Sequence, residues 1–192
     1  MRPVQILLAT VAFLVLESGL AQNIEGGAHL GISALGDQEF VEETALEREA
    51  GIWVLLWPAT NIALAGDWTY VPQDDFQFFR GPFLVGERDR NRQYFDMTLQ
   101  YYFYNRESTR FFVQFGGGWL WDNREVINLQ GVPDFEEHGP ETSLHSMWTL
   151  GAGARKRLVP HLHWITEVKL HNPGRDHRDG FRALTGLTVS WR

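Results

Sequence analysis

The side chains that could do chemistry crowd into one stretch near the C-terminal end of the chain. Glu167, Lys169 and His171 alternate along one segment, and His145 begins the segment before it. Counted outward from a turn near Leu158, positions 145 and 171 are equally distant and stand opposite each other. Two imidazoles beside a carboxylate and an ammonium can ligate a metal or relay a proton. The same residue types also fill the polar interior of a narrow barrel, where opposite charges pair to offset the cost of burial. The second reading is favoured here, with no metal and no cofactor expected. His161 and His163 fall at the opposite end of their segment and cannot join the pair. The chain has Cys 0, so thiolate nucleophiles, thiolate metal sites and disulfides are all excluded. Glu136, Glu137 and Glu141 could hold a divalent cation but read better as solvated loop residues. Phe76, Phe78, Phe79, Phe83 and Leu84 form an aromatic cluster in a long connection, equally suited to packing on a rim or to contacting a ligand.

The elements that position these residues are strands. Alternation of period two recurs along the chain. Phe95, Met97, Leu99, Tyr101 and Phe103 oppose Tyr94, Asp96, Thr98, Gln100 and Tyr102. The same two-faced pattern runs from Ala28, Ile62, Phe111, Leu144, Leu162 and Phe181. The segment Ala50 to Trp57 is apolar on both faces and gives no direction. This makes eight strands of roughly 9–13 residues, the length a tilted strand needs to cross a bilayer. Connections alternate short and long. The short ones are Pro58 to Asn61, Asn105 to Ser108 and Arg157 to Pro160; the long ones are Gly36 to Glu49, Pro72 to Asn91, Asn123 to Thr142 and Asn172 to Asp179. That rhythm predicts an all-β fold: an eight-stranded antiparallel up-and-down transmembrane β-barrel with short periplasmic turns and longer external loops.

Composition sets the solvent of each face. The chain of 192 residues carries Trp 8, Phe 13 and Gly 19, with 14% aromatics and a formal net charge of -7. The acidity argues against nucleic acid as a partner. After the first two dozen residues there is no apolar run long enough for a transmembrane helix. The polar face of the strands collects glycine, hydroxyls and the charges Asp67, Asp96, Arg155, Glu167, Lys169 and Arg182, read as a lumen network. The apolar face carries Trp57, Tyr70, Tyr101, Phe103, Trp119, Trp121, Trp148 and Trp191, read as aromatic girdles at the two membrane interfaces. An interior filled this way leaves no wide channel. Residues 1–21 read as a cleaved secretory signal: Arg2, an apolar run from Ile6 to Leu16, then Gly19 and Ala21 before the cut. Residues 22–192 are then one barrel domain.

In this architecture the chain resembles the small outer-membrane β-barrel family that includes the OmpA transmembrane domain. The last strand ends Gly186-Leu187-Thr188-Val189-Ser190-Trp191, similar to the signal read by the barrel-assembly machinery, with Gly186, Val189 and Trp191 at its key places. Leu184 and Arg192 depart from that pattern. The resemblance implies a monomer in the bacterial outer membrane, reached with periplasmic chaperones and the assembly machinery, in contact with outer-membrane lipid and lipopolysaccharide. It implies a structural or surface-interaction role, not a reaction. Two alternatives stand beside it. One is a lipid A deacylase-like hydrolase using His171 and Glu167; the family's serine position, two residues after the histidine, holds Pro173 here. The other is a soluble periplasmic lipocalin-like carrier, with the aromatic stripe turned inward around a cavity.

Overall fold

The computed structural model describes residues 23–37, 46–72, 76–80, 83–106, 108–128, 138–172 and 177–191. Within them are nine strands: β1 (Asn23–Asp37), β2 (Glu47–Ala59), β3 (Ile62–Val71), β4 (Phe76–Arg80), β5 (Phe83–Arg106), β6 (Thr109–Asn128), β7 (His138–Val159), β8 (Leu162–Asn172) and β9 (His177–Trp191). Eight of them close into a ring. Each pairs antiparallel with its neighbour in the order β3-β2-β1-β9-β8-β7-β6-β5, and the β3–β5 ladder from Ile62↔Tyr101 to Val71↔Arg92 seals the seam. The protein is therefore an eight-stranded, antiparallel, closed barrel. Closure satisfies every edge of the ring.

β4 stands outside this ring. It folds onto the start of β5, pairing Phe76↔Arg88 through Arg80↔Phe83, in the stretch expected to be a loop. Beyond Val71↔Arg92, where β3 stops, β5 continues its ladder with β6 as far as Gly86↔Asn128. β5, β6 and β7 have 24, 20 and 22 residues, well beyond the expected strand length. Much of what alternation left as long connections is a paired ribbon projecting from one end of the barrel. The backbone of the Phe76–Leu84 cluster lies in this hairpin, and its side chains lie outside the described residues. Glu136, Glu137, Pro173 and the segment 1–22 are likewise outside them.

At the other end the connections are tighter than expected. β2 runs to Ala59 and β3 starts at Ile62, so two residues make the turn. β7 runs to Val159 and turns through Pro160-His161, with φ 69° at His161. Proline at the first and a positive φ at the second central position suit a type II turn. This turn, together with a register shift between Arg157 and Val159, corrects the expected pairing: His171 lies opposite Thr149, not His145. The two histidines are offset by four residues, roughly 13 Å along the strand.

The faces follow the alternation. Leu99 is 51% exposed and Phe103 60% exposed on the outside of β5. Phe95, on the same face, is registered between Trp68 and Trp119 and stacks on Trp119 at 5.8 Å, which leaves it 2% exposed. The apolar stripe thus points away from the barrel axis. This is the inverse of a lipocalin-like carrier, and it overturns that alternative. β2 receives its direction only from closure: Trp53, Leu55 and Trp57 point inward, while Ile52 and Val54 face out. Trp57 was expected in a girdle. Being 5% exposed inside the lumen, it is not on the outer face.

Candidate functional site

The inside of the barrel is stacked in layers. At its centre β9 carries Arg182 and β8 carries Lys169, both fully enclosed. Arg182 donates from Nε to Glu49 of β2 at 2.8 Å and from Nη1 to Asp96 of β5 at 3.1 Å; its Nη2 meets Thr69 of β3. Lys169 Nζ reaches Asp67 of β3 at 2.6 Å, Glu167 at 3.0 Å and Asp96 at 3.4 Å. His29 of β1 bonds Asp67 at 2.8 Å through Nε2, and Thr69 donates to the same carboxylate oxygen at 2.9 Å. Thr149 of β7 donates to Asp96 at 3.1 Å, and Gln114 of β6 donates to Glu167 at 3.1 Å. All eight wall strands contribute. On a barrel this narrow inward charges meet across the axis as well as along a strand, and here each cation touches more than one anion. That arrangement offsets the desolvation of ions held away from water.

Glycines make the space. A Cβ on Gly51 would lie 2.5 Å from His29 Nε2, and one on Gly153 would lie 2.5 Å from Phe112 Cζ. The imidazole and the phenyl ring occupy the room those positions leave empty.

Apolar layers cap the ion cluster on both sides. Toward the short turns lie Trp53, Leu55, Trp57, Ala63, Ala65, Tyr102, Phe112, Ile165 and Leu184. Tyr102 packs on Trp57 at 4.8 Å and on Phe112 at 5.1 Å, and its hydroxyl donates to Gln100 at 2.8 Å. Toward the ribbon end lie Val71, Tyr94, Leu120 and Met147. The Arg182 guanidinium sits 4.7 Å over the Tyr94 ring. The void between the ion cluster and the first layer is about 10 Å³, around the lower limit for a single water. Beyond the layers are two further ion pairs, Arg92–Glu47 toward the ribbon and Arg155–Glu25 toward the turns.

Asp67, Asp96, Glu167, Lys169 and Arg182 therefore meet in one network, whereas Arg155 belongs to a separate pair nearer the turns. Sequence reasoning missed Glu49 and Glu47, which fall in a stretch read as loop, and Glu25, which precedes the first strand as read. His29 and Thr69 fall on the polar face by alternation, but nothing in their spacing marks a role. The signal for Glu49 lay in continuing the β1–β2 hairpin ladder, where it pairs with Gly31.

The histidine site does not assemble. His171 is 1% exposed, stacks on Tyr94 at 5.6 Å, and neither ring nitrogen has a hydrogen-bond partner among the described residues. His145 Nε2 contacts Ser143 at 3.0 Å on its own strand. Among the described residues, no group of three or more side chains is placed to hold a metal. A hydrolase nucleophile must lie within hydrogen-bond reach of its base; His171 has no such neighbour among the described residues, and the lumen wall separates it from the outer face.

On the outside, Tyr70, Tyr101, Phe103, Trp148 and Trp191 are exposed and Trp119 and Trp121 half-buried. They fall in two groups by height. Tyr101, Phe103 and Trp191 lie toward the short turns; Tyr70, Trp119, Trp121 and Trp148 lie toward the ribbon. Trp68 and Trp164 share this face. In the last strand Gly186 lies against His29 and Val189 against Gly26, with Trp191 beside Ile24.

No family model and no curated protein sequence matches the chain. Solved structures do. The attachment invasion locus protein Ail of Yersinia pestis superposes with a TM-score of 0.56 at 12% identity, covering 87% of this chain and 98% of that one. Neisserial surface protein A gives 0.60 at 10% identity, covering 86% and 96%. The N-terminal β-barrel domain of Pseudomonas aeruginosa OprF gives 0.53 at 12% identity, covering 89% and 99%. At these identities the likeness is one of fold: the chain has the barrel of the small outer-membrane proteins.

Proposed function

We propose that the protein is a bacterial outer-membrane barrel with a structural or surface-interaction role and no catalytic activity. The observation that carries this is the inversion of its faces: an apolar, aromatic belt outside and a cross-linked ion network inside. A belt of that kind needs lipid around it. The projecting β4–β7 ribbon is then external and available to partners, while the short turns and both strand termini face the periplasm. Residues 1–21 serve as the export signal, and Gly186, Val189 and Trp191 as the contact for the assembly machinery. The monomer sits among outer-membrane lipid and lipopolysaccharide.

The test is cell fractionation with heat-modifiable electrophoresis. The folded protein is expected in the outer-membrane fraction, to require detergent, and to migrate faster unboiled than boiled. Recovery as a detergent-free periplasmic protein with identical mobility in both states would overturn the reading.

A further inference from the structure

The lumen opens at the short-turn end into a cleft of about 320 Å³, within the size range of small-molecule sites. Arg110, Arg155, Arg157, His163, Trp57 and Glu25 line it. Arg110 and Arg155 are directly opposite each other in the β6–β7 ladder. Like charges in that relationship repel, which destabilises a sheet. Glu25, the one carboxylate among the described lining residues, bonds Arg155 and accepts from Thr188 at 3.3 Å. Among the described residues Arg110 donates to a backbone carbonyl, Thr60 O, at 3.3 Å. Both guanidinium groups lie against the same indole, 5.9 and 5.1 Å from the Trp57 ring centroid. At the cleft wall the donors Arg155 Nε and Trp57 Nε1 and the acceptor Asn23 Oδ1 are buried without a hydrogen-bond partner among the described residues, and His163 Nδ1 lies 3.9 Å from Glu25. Three guanidinium groups thus face one carboxylate at this wall, in a chain whose overall charge is negative.

We infer that this cleft binds a phosphate-type oxyanion between Arg110, Arg155 and Arg157. Guanidinium groups match such an anion through paired N–H donors, and the bound charge relieves the Arg110–Arg155 repulsion. The volume leaves room for a substituent on the phosphate, so a lipid headgroup or a soluble phosphate could occupy it.

The experiment uses the refolded chain in non-ionic micelles, so its outcome does not depend on the cellular role proposed above. Inorganic phosphate and glycerol 3-phosphate are titrated by calorimetry, and retention of phosphatidylglycerol is followed by native mass spectrometry. Saturable binding is expected, weakened at least tenfold by Arg110→Gln and left unchanged by Lys156→Gln. Arg110→Gln also removes the like-charge pair, so its urea midpoint is expected to hold or rise while binding falls. Retained phosphatidylglycerol that glycerol 3-phosphate displaces identifies a headgroup site; soluble-phosphate binding without lipid retention identifies a free-phosphate site. Absence of saturable phosphate binding, or equal binding by wild type and Arg110→Gln, overturns the inference.

Discussion

Arg182 and Asp96 stand on diametrically opposite strands, four steps apart in either direction around the ring, and their side chains meet at 3.1 Å. Lys169 and Asp67 repeat the relationship from β8 to β3 at 2.6 Å. Two such struts crossing the axis bar the lumen at its midpoint.

Removing one end of a strut leaves the other charge buried. Asp96→Asn or Arg182→Met alone is expected to cost about 3–5 kcal/mol, the range for breaking a buried ion pair. The double variant should recover part of that loss, because neither charge is then stranded. Urea unfolding followed by tryptophan fluorescence in micelles gives all corners of the cycle. Additive single losses would mean that the two residues do not act as a pair.

The layered interior should not conduct. Reconstituted into planar bilayers, the protein is expected to give no steady current of the kind a water-filled porin carries. The apolar layers on both sides of the ion cluster leave no continuous aqueous path. Reproducible open-channel steps from the purified protein would contradict a plugged lumen.

His171 is a buried imidazole whose ring nitrogens have no hydrogen-bond partner among the described residues. An unpaired buried polar group costs about 1–3 kcal/mol. His171→Phe keeps an aromatic ring against Tyr94 and is expected to match or exceed wild-type stability in the same unfolding assay. If His171 were catalytic, the substitution would instead change the lipid A acylation pattern seen by mass spectrometry; that pattern is expected to be identical with and without it.

The outer face should be sensitive to charge. Leu99→Arg places a cation on the exterior of β5, and an arginine at the bilayer midplane costs about 2–4 kcal/mol. Folding efficiency into lipid vesicles should drop accordingly. Arginine at Thr142, which is exposed on β7 toward the ribbon, is expected to fold as wild type. Equal tolerance at the two positions would mean that Leu99 does not face lipid.

Much of this protein is written locally. Side chains in a strand alternate by geometry, so β5 announces its two faces through Tyr94 to Phe103 without help from any neighbour. The same local rule places Asp67, Asp96, Glu167, Lys169 and Arg182 on inward positions, and short turns between alternating segments make hairpins of neighbours. The segment Ala50 to Trp57 is apolar on both faces, so its sequence holds no preference, and only pairing on both sides turned Trp57 inward. The β4–β5 ribbon was hidden because its residues do not alternate cleanly. The histidine pairing failed because register depends on the turn: a turn at Pro160-His161 and a bulge beside it move every partner along the strand. Contacts across the axis are the furthest from sequence. Which anion Arg182 meets depends on strand number, closure and stagger together, and those exist only once the last ladder, β3 to β5, is formed.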